Sequence, residues 1–150
     1  MSRENMRIEK TIVIERPVEK VWEYIADGRN DPQWCDKVIS VQQVIGADPG
    51  PDASYHVVHR PVRLKKAKEL AVTVEEFDPP RRMRVREEDD DGVFKVTYEL
   101  EPAAEGTRLT QRDQIEWRIP RFQLPIARRM VSRDIENQFS ALKRLLEGPE

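Results

Sequence analysis

A single cysteine, Cys35, is all the thiol chemistry in the chain. No internal disulfide can form, so a disulfide-stapled secreted scaffold is excluded and a reducing compartment fits. Long apolar runs are missing too. No stretch approaches the length of a membrane span, and Met1-Ser2-Arg3-Glu4-Asn5 has no signal-peptide core behind it. A cytoplasmic protein without integral membrane association is the expectation. Neither sign of charge prevails, since 26 basic and 28 acidic residues leave a formal net charge of −2. Nothing in that balance draws the chain to nucleic acid, and no such partner is expected. The only histidines, His56 and His59, would face opposite sides of a strand and make no metal pair. There is no glycine-rich phosphate loop, no G-x-S-x-G elbow and no Cys–His nucleophile arrangement. Neither a metal nor a cofactor is expected.

What is present is alternation. With 38% apolar and 36% charged residues, composition alone points toward disorder. The periodicity argues for a well-ordered fold, and the length of 150 residues fits one domain over 1–150. A first strand over about Met6 to Glu15 puts Ile8, Ile12 and Ile14 on one face, with Lys10 breaking the row. Pro17 suits the start of a helix whose apolar stripe is Val18, Val21, Trp22 and Ile25. Gly28 reads as its left-handed cap, and Asp31-Pro32 as the start signal of one more turn carrying Trp34.

Strands follow over Val38 to Ile45, Ala53 to Arg60, Leu64 to Phe77, Arg82 to Glu88, Val93 to Glu101 and Thr107 to Trp117. Gly46 to Asp52 forms a turn-rich break, and Asp91-Gly92 and Glu105-Gly106 mark hairpins. Phe94, Val96, Tyr98 and Leu100 share one face; Met83 and Val85 oppose Arg82, Arg84 and Arg86. That describes a sheet with one covered and one wet face. The cover is a helix over about Arg121 to Glu147, with Val131, Ile135, Gln138, Leu142 and Leu145 or Leu146 at helical spacing. At about 1.5 Å per residue such a rod is on the order of 35 Å long.

This order of elements, with Arg16-Pro17-Val18-Glu19-Lys20-Val21-Trp22, Asp27 and Trp34, resembles the START/birch-pollen-allergen superfamily. The opening is similar to the "P-x-x-V-W … D … W" pattern of its bacterial polyketide cyclase/dehydrase-like branch. Glu75-Glu76-Phe77-Asp78-Pro79-Pro80-Arg81 resembles that branch's central turn, and Leu142-Lys143-Arg144-Leu145-Leu146-Glu147 its closing helix. The resemblance implies an α+β helix-grip fold. A curved seven-stranded antiparallel sheet would wrap a long C-terminal helix, with two short helices after the first strand. It further implies an elongated internal cavity for a lipid, quinone or polyketide-like molecule. Because the matching residues are packing and turn residues, they carry no catalytic signature.

Candidate ligand-binding residues come from parity. Tyr55, Val57 and His59 share a face, and Gln111 and Asp113 interrupt the apolar row Leu109, Ile115, Trp117. An inward Asp113 needs a partner or a raised pKa, and His59 or Tyr98 could supply an acid–base partner. The alternative places Asp113 at a bulge or in water and makes His59 an ordinary strand-end histidine. Lys66 and Lys68 share the parity of Leu64 and Leu70, so they either grip an acidic head group, snorkel from the rim, or follow a bulge. Trp22 reads as core, whereas Trp34 and Trp117 stand near segment ends where a ligand could stack. Phe122, Ile126 and Met130 form a second apolar row that lines the entrance or pairs a homodimer. Arg81-Arg82, Arg84 and Arg86, answered by Glu87-Glu88-Asp89-Asp90-Asp91, read as a solvated hairpin. Three uses stay open: a binder of a hydrophobic small molecule, a cyclase/dehydratase centred on Asp113, or a protein-interaction module.

Overall fold

A computed structural model describes residues 4–46, 49–60 and 66–148. Alternating strands assemble into one seven-stranded antiparallel sheet in the order β1-β7-β6-β5-β4-β3-β2. The strands are β1 (Glu4–Ile14), β2 (Val38–Ile45), β3 (Ser54–His59), β4 (Lys68–Asp78), β5 (Arg82–Asp89), β6 (Gly92–Ala103) and β7 (Gly106–Trp117). Helix α1 (Val18–Ile25) and the single turn α2 (Asp31–Trp34) follow β1, and α3 (Leu124–Glu147) closes the chain. The α+β helix-grip architecture expected from the sequence is the one observed.

Local differences have local causes. Gly28 is not a left-handed cap: α1 ends at Ala26 in right-handed geometry, and Gly28 opens a 3-10 turn over Gly28–Asn30. The Tyr55 ring lies against it, and a Cβ there would sit 3.3 Å from the ring. The strand expected from Leu64 begins at Lys68, and residues 61–65 lie outside the described residues. The β5–β6 hairpin turns on Asp90-Asp91, because Asp89 already pairs with Gly92. A 3-10 turn over Arg121–Gln123 precedes α3, and Pro125 occupies its first turn.

The inward row of β7 is buried along its length: Thr107, Leu109, Gln111, Asp113, Ile115 and Trp117. Ile14 on β1, Val21 on α1 and Ile135 and Leu142 on α3 complete the tightest part of the core. Helix α3 therefore packs over the β1–β7 end of the sheet. Lys10, the charged break in the first strand, takes an inward position opposite Gln111 and reaches Glu136 of α3 at 3.0 Å. The outer face is wet, with Arg82 and Arg84 bridging to Glu76, and Arg82 and Arg112 to Glu99.

The C-terminal end of α3 is tied to the β1–α1 junction. A helix leaves its last carbonyls without intrahelical donors. Arg16 supplies them, Nε donating to the Leu146 carbonyl and Nη2 to that of Gly148 at 3.4 Å. The Glu15 N–H donates to the Glu147 carboxylate at 2.8 Å, and Lys143 Nζ donates to the Val13 carbonyl at 2.9 Å. Arg16→Ala is expected to cost about 1–2 kcal/mol in urea denaturation, with hydrogen exchange speeding first in the last turn of α3. An unchanged midpoint would show that the tie adds nothing.

Candidate functional site

Because α3 covers the β1–β7 end, the inward faces of the middle strands are less fully covered. Val72 on β4, Val85 on β5 and Phe94, Val96 and Tyr98 on β6 face the same side as the buried β7 row, yet stay half-buried. On the side facing α3 these residues therefore keep part of their surface uncovered. That inward surface is apolar except where Asp31, Glu87, Tyr98, Gln111 and Asp113 come together with Trp34.

Each of these polar groups has a local reason for its position. Asp113 occupies the inward parity of β7, buried, and accepts a hydrogen bond from Gln111 Nε2 at 3.0 Å. Glu87 follows Met83 and Val85 on the inward row of β5. Asp31 was expected to start a helix by capping it. Instead it stands inside the first turn of α2 with right-handed geometry, and its side chain caps nothing. Tyr98 lies opposite Gln111 and meets the Trp34 ring edge-on, centroids 6.2 Å apart.

Burial dominates the electrostatics. Desolvation pushes Asp31 up to about 8, with the Glu87 charge adding and the nearby Trp34 N–H opposing. Burial, then Asp113 and Asp89, raises Glu87 to about 7. Asp113 rises to about 6 through burial, held back by its Gln111 bond. Burial also drives the Tyr98 phenol well above its ordinary value. At neutral pH the cluster therefore holds protons that ordinary carboxyls would have lost. Glu87 and Tyr98 make no hydrogen bond to any described residue. His59 Nε2 and Gln111 Oε1 are buried without partners, while Tyr55 Oη lies near the Gly28 N–H and Trp34 Nε1 near Asp31, neither completing a well-formed bond.

The other sequence-derived candidates scatter. Tyr55 and His59 do share the inward face of β3, but no direct bond joins His59 or Tyr98 to Asp113, whose partner is Gln111. Burial lowers the His59 pKa, and its charged surroundings are Asp89, Lys68 and Lys37. Trp117 is buried, its Nε1 donating to Met6 Sδ at 3.3 Å and its ring set edge-on to Phe94. Phe122 is 78% exposed on the turn before α3 and lines no part of the interior. Lys68 keeps the inward register without a bulge, pairing with His59 across the strands, and its Nζ reaches Asp91 at 3.2 Å. Lys66 is exposed before the strand begins. Trp22 is core, edge-on to Phe77 at 5.3 Å.

Asp31 and Glu87 are the site residues that sequence reasoning missed. Extending the Met83–Val85 row by two positions would have found Glu87, but the acidic run around it reads as a solvated hairpin. Glu88 does behave that way, paired with Arg86 and Arg118. No local signal marks Asp31, because a capping aspartate and an inward one look alike before proline. A separate groove of about 380 Å³ opens between α2 and the C-terminal half of α3, lined by Pro32, Gln33, Trp34, Asp36, Asn137 and Arg144 among others. It includes none of the three carboxyls. Among the described residues no cluster could hold a metal, and no helix is long and apolar enough to cross a membrane.

Comparison with known proteins places the fold. No curated protein matches. Among solved structures, TTHA0849 from Thermus thermophilus is 22% identical with a TM-score of 0.73, covering 94% of this chain and 95% of that one. A START superfamily protein from Mycobacterium smegmatis is 14% identical with a TM-score of 0.78, over 94% and 97%. The di-domain ARO/CYC BexL from the BE-7585A biosynthetic pathway is 12% identical with a TM-score of 0.78, over 97% of this chain and 51% of that one. The family model described as polyketide cyclase / dehydrase and lipid transport matches residues 5–147. The chain belongs to that family.

Proposed function

We propose that the concave space between α3 and the middle strands binds a hydrophobic small molecule, a lipid, quinone or polyketide-like compound. The observation that carries this reading is the pairing of a half-buried apolar wall with unpartnered polar groups at one end. A folded protein keeps buried polar groups satisfied, so groups left without partners around open space are arranged for something else. Trp34, Tyr55, His59, Tyr98 and Asp113 are the candidate ligand contacts on this side; Trp117, on the same inward row, is packed against Phe94, and Phe122 is exposed outside it. The family description and the START likeness support the same class of function.

The test is thermal shift and native mass spectrometry with lipids, quinones and aromatic polyketides. A ligand held at about a hundred times its Kd should raise Tm by roughly 5–10 °C. Val96→Phe, which builds a ring into the open space, is expected to abolish the shift and change stability by less than about 1 kcal/mol. In a filled core the same substitution would cost about 1–3 kcal/mol. Such a cost, together with no ligand bound, would overturn the reading.

Acid–base catalysis of the cyclase or dehydratase kind is the second reading, and one observation favours it. Glu87, with its pKa raised to about 7, faces the space without a partner, which suits proton transfer near neutrality. In this reading Glu87 takes the catalytic part and Asp113, tied to Gln111, shapes its charge. Glu87→Gln should then abolish turnover of a bound polyketide-like substrate and leave its retention intact; turnover unaffected by the change would exclude this role.

A further inference from the structure

The polar end of the interior is unbalanced between donors and acceptors. Asp31, Glu87 and Asp113 arrive there from α2, β5 and β7, and Gln111 stands beside Asp113 on the same inward row. Gln111 is 3% exposed, its Nε2 is spent on Asp113 Oδ1, and its Oε1 has no partner. Reversing the amide offers no escape, since its oxygen would then face a carboxylate. A buried acceptor without a donor is costly. No cationic side chain among the described residues bonds to Asp31, Glu87 or Asp113. Lys37 is held by Asp134 at 2.8 Å, Lys68 by Asp91 at 3.2 Å and Lys10 by Glu136 at 3.0 Å.

We infer that this end of the interior recognises a protonated amine, so that the preferred ligand is a hydrophobic molecule ending in a primary ammonium group. The inference rests on the ligand-binding reading above and adds the chemistry of the head group. An ammonium brings three donors and no acceptor, matching Gln111 Oε1 and the carboxylates together. The aromatic rings of Trp34 and Tyr98 beside them suit a cation as well. Surrounding charges favour it further. Asp89 on β5 adds negative potential, while Asp134 on α3 is already paired with Lys37 and Asp27 before α2 with Arg29. Burial keeps the Cys35 thiol and the Tyr98 phenol protonated and the His59 ring neutral, so none of them supplies a competing charge near pH 7.

A proton linkage follows. The carboxyls hold protons up to about pH 6 for Asp113, 7 for Glu87 and 8 for Asp31. An arriving ammonium displaces them, so its affinity climbs as pH rises through that range. A hydroxyl or carbonyl that accepts from the protonated acids shows the reverse.

The experiment compares dodecylamine, dodecanol and dodecanoate, each below its aggregation limit, by calorimetry and thermal shift at pH 6 and pH 8. At pH 8 the amine is expected to bind at least about tenfold tighter than the alcohol, with the advantage shrinking at pH 6 and dodecanoate weakest. D31N and E87Q, isosteric changes that remove half-buried charge without adding bulk, should each bring the amine toward the level of the alcohol. Alcohol binding as tight as the amine at pH 8, or an amine advantage that survives both substitutions, overturns the head-group assignment alone. Binding of none of the three overturns the ligand-binding reading with it.

Discussion

Raising the pH from 5 to 8.5 is expected to lower the melting temperature of this domain by about 10 °C or more. Asp31, Glu87 and Asp113 are raised in the folded protein to about 8, 7 and 6. A group whose folded pKa lies above its unfolded value keeps a proton that the unfolded chain has released. Its contribution is complete below the ordinary carboxylate range and is lost as pH rises through the folded value. One pKa unit corresponds to about 1.4 kcal/mol. Across the three groups the loss is on the order of 5 kcal/mol, comparable to the entire stability of many domains. Two opposing effects act lower down. His59, with its pKa depressed by burial, stabilises above its ordinary range and loses that as pH falls. Asp27, Glu76, Glu88 and Glu147, held low first by hydrogen bonds from Arg29, Arg82, Arg118 and Lys143, lose their contribution as pH falls below the carboxylate range. Maximum stability therefore sits near pH 5. Differential scanning calorimetry across this range checks it, and D31N/E87Q/D113N should flatten the slope. A melting temperature that holds steady or rises from pH 5 to 8 contradicts the buried-acid picture.

Gly106→Ala is expected to cost on the order of 3–5 kcal/mol, among the largest effects of any single added methyl in this fold. Gly106 opens β7 at φ +147°, where a Cβ would lie 2.3 Å from the Ile14 carbonyl oxygen and 2.8 Å from the Arg16 amide nitrogen. Both neighbours are backbone, so neither can rotate away. Thr107, the next residue, donates its hydroxyl to the Arg16 carbonyl at 2.8 Å, and Arg16 in turn holds the end of α3. A shift forced at Gly106 therefore loosens a strand start and a helix end together. Gly50→Ala is the contrast, with nothing within 4 Å of the added carbon, and should stay within about 0.5 kcal/mol. Urea midpoints decide between the two; a loss at Gly106 below about 1 kcal/mol would mean the hairpin yields more easily than its geometry implies.

The fold was legible because its signals repeat. Period-2 rows such as Phe94, Val96, Tyr98 and Leu100 and the helical stripe through Ile135 and Leu142 state their own elements. The candidate site was legible only in part, for a physical reason. Asp113 and Gln111 interrupt an apolar row, so their inward placement stands out against the pattern. Glu87 sits in a run of five acidic residues and Asp31 in a turn, and in both settings a solvated carboxylate is the ordinary outcome. Strand parity turns Glu87 inward, and Asp31 follows the seat of α2, whose Trp34 packs against Tyr98, a property of the assembled fold. Phe122 shows the converse: an apolar residue before a helix start reads equally as entrance lining or as a homodimer surface, and the turn ahead of α3 leaves it 78% exposed.

The edge position of β1 has a consequence for how the chain reaches this state. Within the sheet β1 pairs with β7 alone, and the partners Thr11 and Thr110 are 99 positions apart. Every other neighbouring pair in the sheet is consecutive in sequence and closes through a local connection. During synthesis the first strand must therefore wait, its apolar row without a partner, until nearly the whole sheet has emerged. Joining such distant segments is entropically slow. The β1–β7 pairing is thus the longest-range closure in the sheet, and it leads directly into the β1–α1 junction that seats α3.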